Sequence, residues 1–207
     1  RIIKISNKLN NAMFISNSVQ SMNPDVLKEI KRKNLPQEEM EKNKESLKSI
    51  RQEPEIIIPL PNETKQSFFN GVNVLLDNGK NQRFAVFQCL ILTNKEMANK
   101  ETINKFGLKI KYKQHWNLFG WVENKFVCET ERVTVATNTM SEEEYLSCRA
   151  YAMMLDSMLR FEPIHEVFKL IEDFDVKNSV FTSALFNEME NKNNKVSDAL
   201  FGFIEKV

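Results

Sequence analysis

The sequence of 207 residues holds only 5 glycines, 3 cysteines and 2 histidines. So few glycines leave no collagen-like period and no glycine-rich loop whose backbone could cradle phosphates. The cysteines, Cys89, Cys128 and Cys148, lie 39 and 20 residues apart. That spacing fits neither a metal-ligand set nor a dense disulfide framework, so a reducing, cytoplasmic compartment is the default. His115 and His165 fall in different segments and share no metal or triad pattern. His115, next to Trp116, reads as a loop acid or base, or as that residue's solvated neighbour. No Gly-x-Ser-x-Gly elbow and no His-Glu-x-x-His helix occurs. Neither does any apolar run of the roughly 20 residues that a membrane helix needs. Neither charge sign prevails: 29 Lys and Arg against 28 Asp and Glu leave a net +1. No strong field therefore draws the chain to nucleic acid or to an anionic membrane. The sequence opens at Arg1 directly before an apolar run, without a signal-peptide pattern, and reads as the middle of a longer chain.

What is present is a core: 42% hydrophobic residues, with 15 Phe and 9 Met. From residue 1 to about 110, short β-rich runs at 2–5, 13–19, 55–60 and 84–92 alternate with helical stretches. Such alternation predicts parallel strands, adjacent in that order and joined by crossover helices. Along 84–92, Phe84, Val86, Leu90 and Leu92 share one face, and Ala85, Phe87, Cys89 and Ile91 share the other. Both faces being apolar predicts a strand buried within a parallel sheet. Asn23 as N-cap and Pro24 at the first helical position start a helix expected to run to about 33. A charged surface helix is expected over 37–52, and an amphipathic one over 64–77 with Phe68, Phe69, Val72, Leu75 and Leu76. Beyond 110 the pattern changes. Segments 118–122 and 126–136 read as a β-hairpin around Glu123-Asn124-Lys125. Ser141 and Glu144 form a capping box before a stripe of Tyr145, Cys148, Ala152, Leu155 and Leu159, and further helices follow near 163–173, 178–190 and 195–206. The expected organisation is therefore α/β over 1–110, then a hairpin and a helical region over 111–207.

Two stretches agree with each other in order, spacing and context. Ser18-Val19-Gln20-Ser21-Met22-Asn23-Pro24 through Lys31-Arg32-Lys33-Asn34 resembles the fourth-strand segment of radical S-adenosylmethionine (SAM) enzymes. Ile56-Ile57-Ile58-Pro59-Leu60-Pro61-Asn62-Glu63-Thr64-Lys65-Gln66-Ser67-Phe68 is similar to that family's fifth strand with its Leu-Pro-Gly-Glu-Thr-Lys-x-Ser-Phe. Phe87-Gln88-Cys89-Leu90-Ile91-Leu92-Thr93-Asn94-Lys95-Glu96-Met97 resembles a segment of the cobalamin-associated branch, which often shows Tyr-Gln-Leu and later Pro-Gly-Thr-Glu-Met. Phe106-Gly107-Leu108-Lys109, Glu129-Thr130 and Thr139-Met140-Ser141 look like tail segments of the same branch. The likeness covers about residues 2–150. Asn62 stands where the family has glycine, and it tolerates the left-handed backbone that such a turn requires. Pro59 stands where glycine is common, without a ladder donor in what should be an inner strand, and Thr93-Asn94-Lys95 replaces Pro-Gly-Thr.

The resemblance implies a partial TIM-like (β/α) barrel of parallel strands, and it implies SAM as a cofactor. It also implies a [4Fe-4S] cluster, whose cysteine triplet is absent from this chain and expected upstream in a missing N-terminal half, and it leaves room for cobalamin. In this frame Gln20 and Ser21 would address the ribose or amino-acid part of SAM, and Arg32 its carboxylate, which a planar guanidinium fork suits. Ile58, Leu60 and Ile91 would wall the adenine. Read without the family, Arg32 belongs to a solvated basic cluster with Lys31 and Lys33, and the three aliphatic residues are ordinary core. The function implied is reductive cleavage of SAM to start radical chemistry, leading to methyl transfer or rearrangement if a cobalamin domain lies upstream, on a small-molecule or unknown substrate and with no catalysis expected from this chain alone. A non-catalytic scaffold keeping a degenerate barrel half, with the helices of 141–206 as partner surface, is the alternative. A nucleic-acid modifying enzyme finds little support in a net charge of +1 without a basic stripe.

Overall fold

The structure is a computed structural model that describes residues 5, 8, 9, 15–34, 52–78, 83–191 and 195–204. Three short strands, β1 (Ile15–Gln20), β2 (Gln52–Ile58) and β3 (Ala85–Gln88), form a parallel sheet in that order. The ladder pairs Ile15 with Gln52, and it runs from Glu55 opposite Ala85 to Ile58 opposite Gln88. Parallel pairing and adjacency are as the alternating pattern predicts. Of the expected first strand, Ile5 is helical, its carbonyl accepting from the Leu9 N–H at 3.1 Å; residues 2–4 lie outside the described residues. The expected surface helix over 37–52 also lies outside them, except Gln52, which opens β2.

Helix α1 (Pro24–Glu29) starts as expected: Asn23 is the N-cap, its Oδ1 accepting from the Asp25 N–H at 2.9 Å. It stops four residues short of the expected end. Lys31 takes φ 55°, its N–H bonds Lys28 O, and the Arg32 N–H reaches back to Leu27 O at 2.8 Å. This is a left-handed C-terminal cap, which here turns the chain out of the helix without glycine. Helix α2 (Lys65–Asn78) buries Phe68, Val72, Leu75 and Leu76, the stripe read from its sequence.

β3 departs from the expected long inner strand. It ends at Gln88, and Phe87 from one expected face and Leu92 from the other are 51% and 56% exposed, so neither face is covered throughout. The reason is a change of partner. The Cys89 N–H still bonds Ile58 O at 2.8 Å, but Leu90 bridges Val133 in the antiparallel sense, and the Ile91 N–H bonds Arg132 O at 2.8 Å. These bonds join the parallel sheet to the hairpin of β4 (Lys109–Val122) and β5 (Lys125–Ala136). The hairpin starts earlier than expected and turns on two residues: Glu123 and Asn124 take φ 49° and 62°, the left-handed pair that suits a two-residue loop. Helix α3 (Lys100–Phe106) lies between β3 and the hairpin.

Helices α4 (Glu142–Arg160), α5 (Glu162–Asp173), α6 (Asn178–Asn191) and α7 (Lys195–Ile204) follow near their expected bounds, the expected end of the last one at 206 lying outside the described residues. The capping box is present, with Ser141 Oγ accepting from the Glu144 N–H and the Glu144 carboxylate accepting from the Ser141 N–H at 2.8 Å. One core cluster spans both sides of residue 110: Ile56, Ile58, Phe68 and Val72 pack with Tyr145, Tyr151, Leu155, Phe168 and Phe186. Phe69 stacks on Tyr151 with ring centroids 4.4 Å apart. Each fully buried Phe there contributes about 1.5–3 kcal/mol.

Candidate functional site

The C-terminal ends of β1, β2 and β3 open into one cavity of about 590 Å³. Its lining includes Gln20, Arg32, Ile57, Leu60, Phe87 and Gln88. Gln20 gets there through a break in its strand. The β1–β2 register slips between Ser18 and Gln20, Gln20 takes φ 65°, and the Ser21 N–H bonds Val19 O at 2.8 Å. This positive-φ γ-turn, within a bulge, re-aims one side chain out of the alternating series. Val19 and Ser21 are buried on either side of it.

Ser21 is fixed from four directions. Its Oγ donates to Glu63 Oε2 at 2.5 Å and accepts from the Asn23 N–H at 3.0 Å, while its carbonyl accepts from Asn34 Nδ2 at 2.9 Å. Its N–H closes the γ-turn. Glu63 follows the turn at Asn62, which takes the left-handed φ of 65° expected for a glycine substitute. Its carboxyl also accepts from Ser67 Oγ, and its carbonyl accepts from Thr139 Oγ1 at 2.7 Å. Burial pushes the Glu63 pKa up, and the two serine hydroxyls oppose that shift. Pro59 lies just past the end of β2, so no ladder donor of that strand is lost to it.

Arg32 reaches the same mouth because α1 is short and its cap folds the chain back. Gln20, Arg32 and Leu60, from three separate segments, thus line one cavity. The other expected site residues do not line it. Ser21 stands behind Gln20 on Glu63, Ile58 is 1% exposed within the main core, and Ile91 packs with Phe106 and Leu108. On β2 the residue facing the cavity is Ile57.

Two lining residues come from the hairpin: Lys113 and Glu131, opposite each other on the ladder. Lys113 Nζ donates to Gln88 Oε1 at 2.7 Å, and Gln88 Nε2 donates to the Tyr145 hydroxyl at 3.0 Å. Glu131 is 3.6 Å from His115 Nε2, whereas the His165 ring bonds Leu159 O at 3.0 Å, so the two histidines serve separate places. Glu63 and Gln88 stand within the family-like motifs, whose resemblance implies no role for either. Lys113 and Glu131 carried no signal beyond the alternation of lysine with Ile110 and Tyr112 along β4.

The cysteines do not form a cluster site. Cys89 follows β3, Cys128 is on β5 and Cys148 is on α4, and among the described residues no group of three His, Cys, Asp or Glu could hold a metal. Burial raises the Cys89 pKa to about 11 and pushes Cys148 up as well, which disfavours the thiolates that ligate iron. No described helix is long and apolar enough to cross a membrane.

No family model matches the chain. It is 31% identical over 157 residues to the 2-(S-pantetheinyl)-carbapenam-3-carboxylate methyltransferase of Streptantibioticus cattleyicolor, an alignment covering 72% of this chain and 22% of that protein. It is 29% identical over 132 residues to the cobalamin-dependent radical SAM methyltransferase TokK of Streptomyces tokunonensis, covering 62% of this chain and 19% of that one. The chain spans about a fifth of the length of these curated relatives. It is a distant and partial homologue of methyltransferases, one of them cobalamin-dependent and of the radical SAM kind.

Proposed function

We propose that this chain is the SAM-facing part of a cobalamin-dependent radical SAM methyltransferase: half of a parallel (β/α) barrel, with the hairpin and C-terminal helices flanking its mouth. The observation that carries the reading is the convergence of Gln20, Arg32 and Leu60 on one cavity at the strand ends. Open parallel sheets and barrels bind ligands at that end. The lining fits SAM by its chemistry. Ile57, Leu60 and Phe87 offer the apolar walls that adenine needs, Gln20 offers an amide, and Arg32 offers a fork for the carboxylate. SAM supplies, when bound, either a methyl group or the means to abstract a hydrogen atom. The protein's part in this cavity is to hold and orient: the buried Glu63–Ser21 pair fixes the turn that aims Gln20, and the Gln88 amide, held at both ends, fixes the far wall.

An iron-sulfur cluster does not fit the described residues, since their cysteines sit on separate elements with two thiols buried. Its ligands would belong to another part of the protein.

Calorimetric titration of the chain with S-adenosylhomocysteine tests the reading. Saturable one-to-one binding is expected, and Arg32→Lys should weaken it about tenfold, equivalent to about 1.4 kcal/mol, by removing the planar fork. Because Arg32 is exposed, the thermal midpoint should not move. Absence of binding, or an unchanged affinity in the variant, refutes the assignment.

A further inference from the structure

Behind the Gln88–Lys113 contact lies a second cavity, of about 660 Å³, between the hairpin and α4. Its charged lining is unbalanced: Lys111, Lys113 and Arg149 face one carboxylate, Glu142. That carboxylate is already taken, bonding Lys109 Nζ at 2.5 Å and also Lys111 Nζ, and the two lysines hold its pKa down. The remaining cations have neutral neighbours. Lys113 Nζ rests on the Gln88 amide oxygen, and the Arg149 guanidinium lies 5.9 Å from the centre of the Tyr145 ring. Among the described residues neither forms an ion pair. Of the nearby acids, Asp156 is bonded to Arg160 at 2.7 Å, and Glu131 lines the first cavity and not the second. Lys113 and Arg149 are both half-buried, where an unpaired charge is costly and an incoming anion is correspondingly favoured. Val133, Val135, Leu146 and Ile204 give the wall an apolar part beside the polar Gln114.

We propose that this second cavity binds the methyl-accepting substrate, and that the substrate is an organic anion with an apolar body, its carboxylate or phosphate placed between Lys113 and Arg149. The acceptor role rests on the assignment of the first cavity to SAM; the anion site does not. Gln88 and Lys113 line both cavities, so the two ligands would meet across one hydrogen-bonded pair of side chains.

The probe is 2-naphthoate, with uncharged 2-naphthamide of the same shape as control, titrated into the 207-residue chain by calorimetry. The acid should bind at least about tenfold more tightly than the amide, a difference of about 1.4 kcal/mol, and added salt should narrow the gap. Arg149→Gln should abolish the preference and Arg149→Lys restore part of it. S-adenosylhomocysteine binding should stay unchanged in both, because Arg149 does not line the first cavity. Should Arg149→Gln fail to fold by circular dichroism, Lys113→Met gives the same readout for the acid. Equal binding of acid and amide, or a preference that survives the loss of either cation, overturns the anion site. Loss of S-adenosylhomocysteine binding with the acid preference intact overturns the acceptor role together with the SAM assignment.

Discussion

Glu63 holds its carboxyl where the proton is favoured. It is 1% exposed, and desolvation outweighs the hydroxyls of Ser21 and Ser67, so its native pKa lies above the ordinary carboxylate value. Stability tied to this group is therefore complete below the unfolded pKa of about 4.3, is lost as pH rises through the raised native value, and levels off above it. Glu63→Gln should flatten that part of the stability profile, measured as urea midpoints across a pH series. A slope as steep as in the parent would show that the burial penalty lies elsewhere. Glu63→Ala should cost about 1–3 kcal/mol by leaving the Ser21 hydroxyl buried without its acceptor. None of this was visible in the chain order. A glutamate in a turn reads as solvated, and its partner Ser21 is 42 residues away. Gln20 was legible as a residue and not as a geometry, because a bulge breaks the alternation from which its direction would be inferred.

At the scale of elements, local signals carried well and tertiary ones did not. The cap of α4 is contained in four residues, and Ser141→Ala should lower stability by about 1 kcal/mol. Thermal melts check this, and no shift would mean that the first turn is held by packing alone. The stripes of α2 and α4 were equally plain, because burial of one face imposes the helical period. The end of α1 was not, since Lys31 and Arg32 are good helix formers and only the left-handed turn at Lys31 stops them. The run 84–92 read as one strand because its apolar alternation is continuous. In space it serves two sheets, parallel to β2 up to Gln88 and antiparallel to β5 at Leu90. A change of ladder partner leaves no mark on hydrophobicity. Gly107 is a further constraint on this region: at φ 57° a side chain there would overlap the Asn138 amide.

Across the whole molecule, the placement of the thiols sets a limit on chemistry. With Cys89, Cys128 and Cys148 on separate elements, anaerobic reconstitution of this chain with iron and sulfide, followed by SAM and a reductant, should yield no 5′-deoxyadenosine. Product above the background of a chain lacking all three cysteines would contradict the structure's placement of them. The cavities, by contrast, share the hydrogen-bonded Gln88–Lys113 pair. Gln88 accepts from Lys113 at one end of its amide and donates to Tyr145 at the other. A ligand in the first cavity that claimed the Gln88 oxygen would free the Lys113 ammonium, which lines both cavities, for an anion in the second. Thermodynamic linkage then requires the second ligand to alter the first one's affinity by the same factor. Each ligand would thus favour binding of the other through the Gln88–Lys113 pair, with no domain having to move.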